Sequence, residues 1–233
     1  MKTQSKRVKA LQAAKAKLTD FSTLKAIIDG IKSCCSAKFD ESIDIAVKLG
    51  TNPKKSDEAI RSSFNLPNGI PKKIKVAAFV TNAYAEDARR AGADVIGLDD
   101  LVEQIKKDEK VDFDYCFASQ DALPKIVSIS KILGQAGVMP SKKEDTVTNN
   151  IFQAISAVKS GKKCVFRNNS AAFVLNSVGK KSMETALIAE NIKELVVYIN
   201  SLRPAKVKEM IKKIYINSTM GISLEIPVKM VLS

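Results

Sequence analysis

The sequence predicts two domains: a basic α+β domain built from both ends of the chain, and an α/β domain with a parallel sheet inserted between them. Residues 71–159 hold thirteen Lys+Arg and thirteen Asp+Glu, so the formal net charge of +13 lies wholly outside that range. Strand and helix patterns alternate within the same range, which is typical of α/β proteins with a parallel sheet. We therefore assign 1–70 and 160–233 to the basic domain and 71–159 to the insert. A basic body of this kind favours a polyanionic partner, and nucleic acid is the commonest one.

The N-terminal segment is strongly basic. Residues 1–17 contain six basic and no acidic side chains, and Leu11, Ala14 and Leu18 follow helical spacing. This spacing predicts a basic helix. A solvated run of charges is an equally good interpretation.

An amphipathic helix and a strand follow this segment. The helix is predicted from apolar residues at spacings of three and four, which are Phe21, Leu24, Ile27, Ile28 and Ile31. Thr19 or Asp20 is expected to cap it. Apolar and polar residues alternate over 43–49, which predicts a half-buried strand, and the turn-rich residues 66–71 mark the start of the insert.

The insert contains three predicted strands and four predicted helices. The strands cover 74–80, 93–96 and 113–118, and the helices cover 85–91, 98–107, 122–133 and 149–160. Gly92 and Gly134 are expected to end the first and third helices. Because helices that connect parallel strands cover the faces of their sheet, this domain is predicted to be Rossmann-like.

The C-terminal part returns to the basic domain. Strands are predicted over 163–167, 173–178, 211–218 and 222–228, and a long helix over 187–199. The helix is expected to end at Arg203-Pro204, since the residue before a proline avoids helical backbone. With the strand over 43–49, these elements complete the α+β domain.

Several features that enzymes need are missing from the sequence. The chain has no histidine, which excludes Ser-His-Asp and Cys-His catalysis. Its four cysteines, Cys34, Cys35, Cys116 and Cys164, form no Cys-x-x-Cys pair, so we expect reduced thiols rather than zinc ligands. The strand over 74–80 leads into residues without glycine, which argues against a phosphate-binding turn. We therefore expect no enzyme activity, no cofactor and no metal, and the lack of a long apolar run predicts no membrane partner.

Two short segments carry a resemblance. They are Ala37-Lys38-Phe39-Asp40-Glu41-Ser42-Ile43 and Asn217-Ser218-Thr219-Met220-Gly221. Further matches are spread over nearly the whole chain, among them Leu66-Pro67, Ala91-Gly92-Ala93, Met139-Pro140, Phe166-Arg167-Asn168 and Val178-Gly179-Lys180. In this order and spacing they resemble the bacterial type of the L-one family of large-subunit ribosomal proteins, which forms the mobile stalk beside the tRNA exit site.

The resemblance implies an RNA-binding surface on the basic domain. Its contact residues correspond to Lys38, Phe39, Glu41, Ser218, Thr219, Met220, Gly221, Arg167 and Lys180. The chemistry is reasonable, because lysine neutralises phosphate, exposed Phe and Met offer apolar surface to a base or sugar, and hydroxyls bind phosphate or a 2′-OH. Glu41 is expected to accept from a base amine or a 2′-OH, or to orient Lys38. Without the resemblance, Phe39 would be interpreted as a core aromatic and Ser218-Thr219 as an ordinary strand end.

The resemblance also implies partners and a place in the cell. The expected partners are large-subunit rRNA, exit-site tRNA whose release the protein assists, and the mRNA of its own operon, which it represses. We expect a cytoplasmic, ribosome-associated bacterial protein, monomeric off the ribosome, with an organelle of bacterial origin as the alternative source. A nucleotide-dependent enzyme with its active site in the insert is the alternative function.

Two stretches depart from the family pattern. The family usually has Leu-Gly-Pro-Arg-Gly-Leu-Met-Pro-Asn-Pro-Lys, a variable residue and Gly-Thr-Val where this chain has residues 133–147. An arginine and the glycine before Thr146 are therefore missing. After Phe166-Arg167-Asn168 the family usually has Asp-Lys and a glycine, and this chain has Asn169-Ser170-Ala171-Ala172.

Overall fold

The computed structural model describes residues 6–17, 22–53, 55, 58–108 and 110–232. Packing divides the chain into two compact units, which we call the terminal unit (1–70 with 166–233) and the inserted unit (71–165). One sheet is antiparallel and another is parallel. The predicted combination of α+β and α/β classes is confirmed.

The terminal unit begins with two helices and two strands. They are α1 (Lys6–Lys17), α2 (Leu24–Ser33), β1 (Ser42–Leu49) and β2 (Arg61–Asn65). The basic helix predicted near the N-terminus is α1. The residues of α2 that face the core are Leu24, Ile27, Ile28 and Ile31. They are the ones that the apolar spacing predicts.

The N-terminal cap of α2 differs from the prediction. The hydroxyl of Thr23 accepts a hydrogen bond from the backbone N–H of Ala26 at 3.2 Å, so Thr23 is the cap. The expectation that Thr19 or Asp20 caps this helix is therefore wrong. The predicted residues of this region that lie outside the described part of the chain are Leu18, Thr19, Asp20 and Phe21.

The inserted unit contains three strands and five α-helices among its described residues. They are β3 (Val76–Phe79), α3 (Asn82–Arg90), β4 (Val95–Gly97), α4 (Asp99–Asp108), β5 (Tyr115–Ala118), α5 (Leu123–Ile126), α6 (Ser130–Ala136) and α7 (Ile151–Lys159). The strands form a parallel sheet in the order β4-β3-β5, as predicted. Val76 and Ala78 belong to one apolar cluster and Ala77 and Phe79 to another, because successive side chains of a strand point to opposite faces. All four are buried, as expected for a parallel sheet covered on both faces.

The helix predicted over 122–133 is broken. Short 3-10 helices, Gln120–Ala122 and Val127–Ile129, flank α5. Gly134 does not end the helix that follows, since α6 continues through it to Ala136. Helix α6 is ended instead by Gly137, whose φ of 76° lies in the left-handed region that glycine adopts without steric cost.

The remaining elements begin with a strand that crosses the boundary between the two units at residue 166, and the others complete the terminal unit. They are β6 (Lys163–Arg167), β7 (Phe173–Lys180), α8 (Thr185–Ser201), β8 (Ile211–Ser218), β9 (Ser223–Ile226) and α9 (Val228–Leu232). An antiparallel sheet has the order β7-β1-β8-β9, and β2 pairs with β6. Helix α2 contacts α8, β8 and β9, and α8 contacts β7, so these two helices bury one face of the sheet. The sequence did not predict β2 or α9, and the predicted last strand ends at Ile226 rather than at 228.

Candidate nucleic-acid interface

The register of the antiparallel sheet brings three distant segments together. Strand β1 begins where its two neighbours end, since Ser42 lies opposite Lys180 of β7 and Ile43 lies opposite Ser218 of β8. The residues before β1, after β7 and after β8 therefore meet at one end of the sheet. We call this place the site end and define it by residues 37–42, 180–183 and 218–223.

Thr219 fastens the turn after β8 to the start of β1. The backbone N–H of Ser42 donates to Thr219 Oγ1 at 3.0 Å, and Thr219 Oγ1 in turn donates to the Ser42 carbonyl at 3.3 Å. The backbone N–H of Thr219 also donates to that carbonyl, at 3.1 Å. The Thr219 side chain is exposed even so. One of its two acceptor positions is used by Ser42, which leaves the other for a ligand.

Glu41 lies beneath the surface. Its side chain is fully buried. Oε1 accepts from the backbone N–H of Ala37 at 3.0 Å, and Oε2 accepts from that of Met220 at 3.1 Å. The carboxylate therefore ties together the two segments that carry the resemblance, which lie 179 residues apart at this contact. Of the roles considered from the sequence, the geometry supports positioning: Glu41 holds the backbone beside Lys38 and does not present a free carboxylate.

The exposed side chains at the site end have the chemistry of an RNA contact. Phe39 is 53% exposed and Met220 is 46% exposed. Lys38 and Thr219 are exposed beside them in sequence. Burying apolar side chains of this size is favourable, so two such residues exposed at one end of a sheet mark an interaction surface.

Ser218 and Gly221 shape the turn between β8 and β9. Ser218 is buried, and its hydroxyl makes no hydrogen bond of normal geometry within the described residues. A Cβ at Gly221 would lie 2.1 Å from Ser218 Oγ, so glycine is required while Ser218 keeps this position. Burial raises the pKa of the Cys35 thiol, and the neighbouring Ser218 hydroxyl partly opposes that rise. Ser218 and Gly221 therefore shape the backbone of the turn that carries the exposed side chains of Thr219 and Met220.

Residues 180–183, at the end of β7 and after it, form the third segment of the site end. Lys180 Nζ donates to Ser42 Oγ at 2.9 Å and, more distantly, to the Asp40 carbonyl at 3.4 Å. The Asp40 carboxylate accepts from the backbone N–H and the hydroxyl of Ser182 at 3.0 and 2.8 Å. Asp40 and Ser182 were not predicted as site residues, and no spacing rule joins positions that lie 142 residues apart. Their bonds fix the loop that carries Phe39.

Arg167 does not join this surface. Its neighbour Asn168 forms a β-bridge with Val174, and Val174 lies opposite Val47 of β1. Val47 is five residues along β1 from Ser42, which is about 17 Å in an extended strand. The structure therefore places Arg167 towards the opposite end of the sheet, and eight of the nine predicted site residues remain at the site end.

Other candidate chemistry is accounted for by local contacts. Acidic residues of the inserted unit that could be taken for metal ligands form ion pairs, Asp99 with Lys125 at 2.7 Å and Asp112 with Lys75 at 2.6 Å. Within the described ranges, no group of three His, Cys, Asp or Glu side chains lies close enough to hold a metal ion. Nor does any helix described here have the length and apolar character needed to span a bilayer. All four cysteines are buried, and none of them forms a disulfide bond.

Comparison with known proteins decides the family. Residues 31–222 match the model of the Ribosomal protein L1p/L10e family. The chain belongs to this family. The matched range contains residues 37–42, 180–183 and 218–222, so it includes the whole site end except Ser223. The resemblance drawn from the sequence is thereby confirmed.

Curated relatives of the family match over nearly their full length. The large ribosomal subunit protein uL1 of Chromobacterium violaceum is 41% identical over 226 residues, which cover 95% of this chain and 95% of that protein. The proteins of the same name from Ralstonia nicotianae and Polynucleobacter asymbioticus are 40% and 39% identical over 223 residues each. All three come from bacteria and are named as structural parts of the ribosome, not as enzymes. The alternative of a nucleotide-dependent enzyme is therefore rejected, and the chain is not an enzyme.

Proposed function

We propose that this protein is a constituent of the large ribosomal subunit in the bacterial cytoplasm, and that it binds large-subunit rRNA through the site end of the terminal unit. One observation carries the proposal. Four exposed side chains with RNA-binding chemistry, which come from sequence positions about 180 residues apart, meet on one surface because of the sheet register. The family and the names of its curated members support the ribosomal setting.

Each exposed residue has a definite task in this proposal. Lys38 neutralises a backbone phosphate. Phe39 and Met220 lie against the faces of unstacked bases or sugars. Thr219 accepts a hydrogen bond from a ribose 2′-OH with its remaining acceptor position, which distinguishes RNA from DNA. Lys180 adds positive charge at the edge of the same surface.

The finer roles rest on the family alone. We propose that the bound protein forms the mobile stalk and assists release of deacylated tRNA from the exit site. We also propose that it represses its own operon by binding an mRNA element that mimics the rRNA site. Off the ribosome we expect a monomer.

The direct test is binding of the full chain to a large-subunit rRNA stalk fragment at several salt concentrations. Met220→Asp places a negative charge against RNA and is expected to weaken binding at least tenfold, while Lys38→Gln reduces the steepness of the salt dependence by about one unit. Leu175→Asp is the matched control, because Leu175 is an exposed apolar residue of the same unit at 61% exposure but lies in the middle of β7. A flat salt response, or equal losses for Met220→Asp and Leu175→Asp, would contradict the proposal.

The operon role has its own measurement. Unlabelled leader RNA of the operon is expected to compete with the rRNA fragment, and Met220→Asp is expected to weaken both complexes by the same factor. Competition that persists in Met220→Asp would assign the mRNA to a different surface.

A further inference from the structure

Helix α1 combines strong positive charge with little burial. Residues 1–17 hold six basic and no acidic side chains, and α1 covers most of them. Among the side chains of α1 that the structure describes, none is buried, and Val8 is 41% exposed. Leu11 and Ala14 are partly buried, and the other described side chains of α1 are exposed, so apolar packing holds this helix only weakly. Its own like charges also repel one another, which disfavours the helix in the free protein.

A contact joins α1 to the turn that carries Met220. Lys15 Nζ donates to the carbonyl of Ser223 at 3.2 Å. Ser223 is the first residue of β9 and lies opposite Asn217, the residue before Ser218. The β8–β9 turn thus exposes Thr219 and Met220, and Ser223 at its end contacts α1.

Two lysines of α1 have donors to spare. Lys9 is exposed, and its ammonium group has no partner among the described residues. Lys15 is exposed and uses one of its three N–H donors on Ser223. Along the helix axis these residues are about 9 Å apart, and around it they are about 120° apart, so they reach different phosphates of an RNA that lies against α1.

We propose that α1 is a second RNA-contacting element, in which Lys9 and Lys15 bind phosphates beside the nucleotides held at the site end. This inference rests on the proposed function, because it assigns α1 to the same RNA. The β8–β9 turn sets the distance between the two contacts. Because lysine contacts phosphate as a point charge, α1 adds affinity and not sequence preference.

The experiment is a salt titration of full-length variants with the rRNA stalk fragment. Lys9→Gln combined with Lys15→Gln is expected to reduce the slope of log K against log salt by about 1.4–1.8, and to weaken binding on the order of 10- to 50-fold at 0.1 M salt. Lys9→Gln alone leaves the Ser223 contact intact and is expected to give half of the change in slope. Lys9→Arg with Lys15→Arg keeps both charges and is expected to restore the wild-type slope.

The matched control removes the same charge elsewhere. Lys106→Gln with Lys107→Gln changes two exposed lysines at the end of α4 in the inserted unit, and is expected to leave the slope unchanged. Unfolding by urea confirms that each variant is folded. An unchanged slope in both the Lys9→Gln variant and the double α1 variant, with Lys38→Gln still reducing it, would overturn the role of α1 alone. Failure of wild-type protein to bind the fragment would overturn the proposed function itself.

Discussion

The terminal unit and the inserted unit differ in how far apart in the sequence their contacting residues lie. The inserted unit is one continuous stretch whose parallel sheet is covered by the helices between its strands. The terminal unit joins both ends of the chain, and its site end depends on bonds between residues 177 and 179 positions apart. A surface of this kind exists only when the tertiary structure is complete.

Charge follows the same division. The inserted unit has fifteen basic and thirteen acidic side chains, against twenty-three and twelve in the remaining chain. The unit with the long-range surface is therefore also the one that attracts a polyanion. We therefore expect RNA binding to be sensitive to substitutions at the site end and insensitive to substitutions in the inserted unit that leave its net charge unchanged.

The largest expected effect comes from Glu41. Glu41→Gln replaces one acceptor oxygen by an NH₂ group, which leaves a backbone N–H of Ala37 or Met220 without a partner in a buried place. We expect the free energy of unfolding to fall by about 2–4 kcal/mol, as for loss of a buried hydrogen bond to a charged group, and RNA binding to fall with it. Urea unfolding measures the first effect and fragment binding the second.

Glu225→Gln is the control for this change. Glu225 forms a half-exposed ion pair with Lys213 at 3.2 Å, so its loss is expected to cost less than about 1 kcal/mol. Equal losses of unfolding free energy from Glu41→Gln and Glu225→Gln would contradict the positioning role of Glu41.

Gly221→Ala tests the turn between β8 and β9. The added Cβ would lie 2.1 Å from Ser218 Oγ, which we expect to cost about 1–3 kcal/mol of stability, as other overpacked sites do. Ser218→Ala removes that oxygen and leaves only Ser218 Cβ at 3.4 Å, so it should reduce the cost of Gly221→Ala. A double-mutant cycle with a coupling energy near zero would show that another contact requires the glycine.

One residue in each unit has a strained backbone conformation that a substitution by glycine can test. The non-glycine residues with positive φ among those described are Asp145 in the inserted unit and Ala172 in the terminal unit, at 50° and 60°. Both fall where the family pattern has lost a glycine. Ala172→Gly removes a buried methyl group but relieves a larger backbone strain, so we expect it to raise the free energy of unfolding by about 0.5–1 kcal/mol. Asp145→Gly is expected to raise it by less, because aspartate tolerates the left-handed region better than alanine.

Ala78→Gly is expected to change the free energy of unfolding in the opposite direction. Ala78 is a buried strand residue without positive φ, so removing its methyl group is expected to destabilise the protein by about 1 kcal/mol. Thermal unfolding distinguishes the two directions. A loss of stability in Ala172→Gly as large as that in Ala78→Gly would mean that the backbone at 172 is not strained.

The smallest expected effect is a pH dependence confined to the inserted unit. Asp94 accepts from Lys159 Nζ at 2.6 Å and from the Val76 N–H at 2.7 Å, and these bonds, the first more than the second, hold the pKa of Asp94 below its usual value. A carboxyl whose pKa is lower in the folded protein stabilises it above the unfolded-state pKa of about 3.9, and this stabilisation is lost as the pH falls through the folded-state pKa.

Asp94→Asn removes that dependence. At pH 7 the variant is expected to be less stable by about 0.5–1 kcal/mol, the scale of exposed ion pairs, and once the pH has fallen below the folded-state pKa of Asp94 it should match the wild type. Asp121→Asn makes the same change of net charge at an exposed position of the same unit and is the matched control. Melting curves of the three proteins from pH 2 to pH 7 measure this, and a constant difference between wild type and Asp94→Asn would contradict the assignment.

Elements with strong periodicity could be predicted from the sequence, and elements without it could not. Strands β1 and β8 and helix α8 follow clear apolar patterns, and the structure has them within two residues of the predicted bounds. Strand β2 has the sequence Arg-Ser-Ser-Phe-Asn and no buried residue, so no alternation of apolar and polar side chains predicts it. Helix α9 follows Pro227 with a short apolar run, which is equally compatible with a strand.

The site was predicted as a set of residue types, but not as an arrangement. Lys38, Phe39, Thr219 and Met220 could be named because their segments resemble a family. The burial of Glu41 could not be predicted, because a carboxylate is usually exposed and its two N–H partners are backbone groups of distant residues. The separation of Arg167 from the others follows from the β1–β7 register, which spacing along the chain does not reveal.

The most direct measurement is backbone hydrogen exchange of the full chain with and without the rRNA stalk fragment. We expect slower exchange on binding for the amides of residues 37–42 and 218–223 together with α1, and unchanged exchange in the inserted unit. Protection confined to residues 71–165 would contradict it.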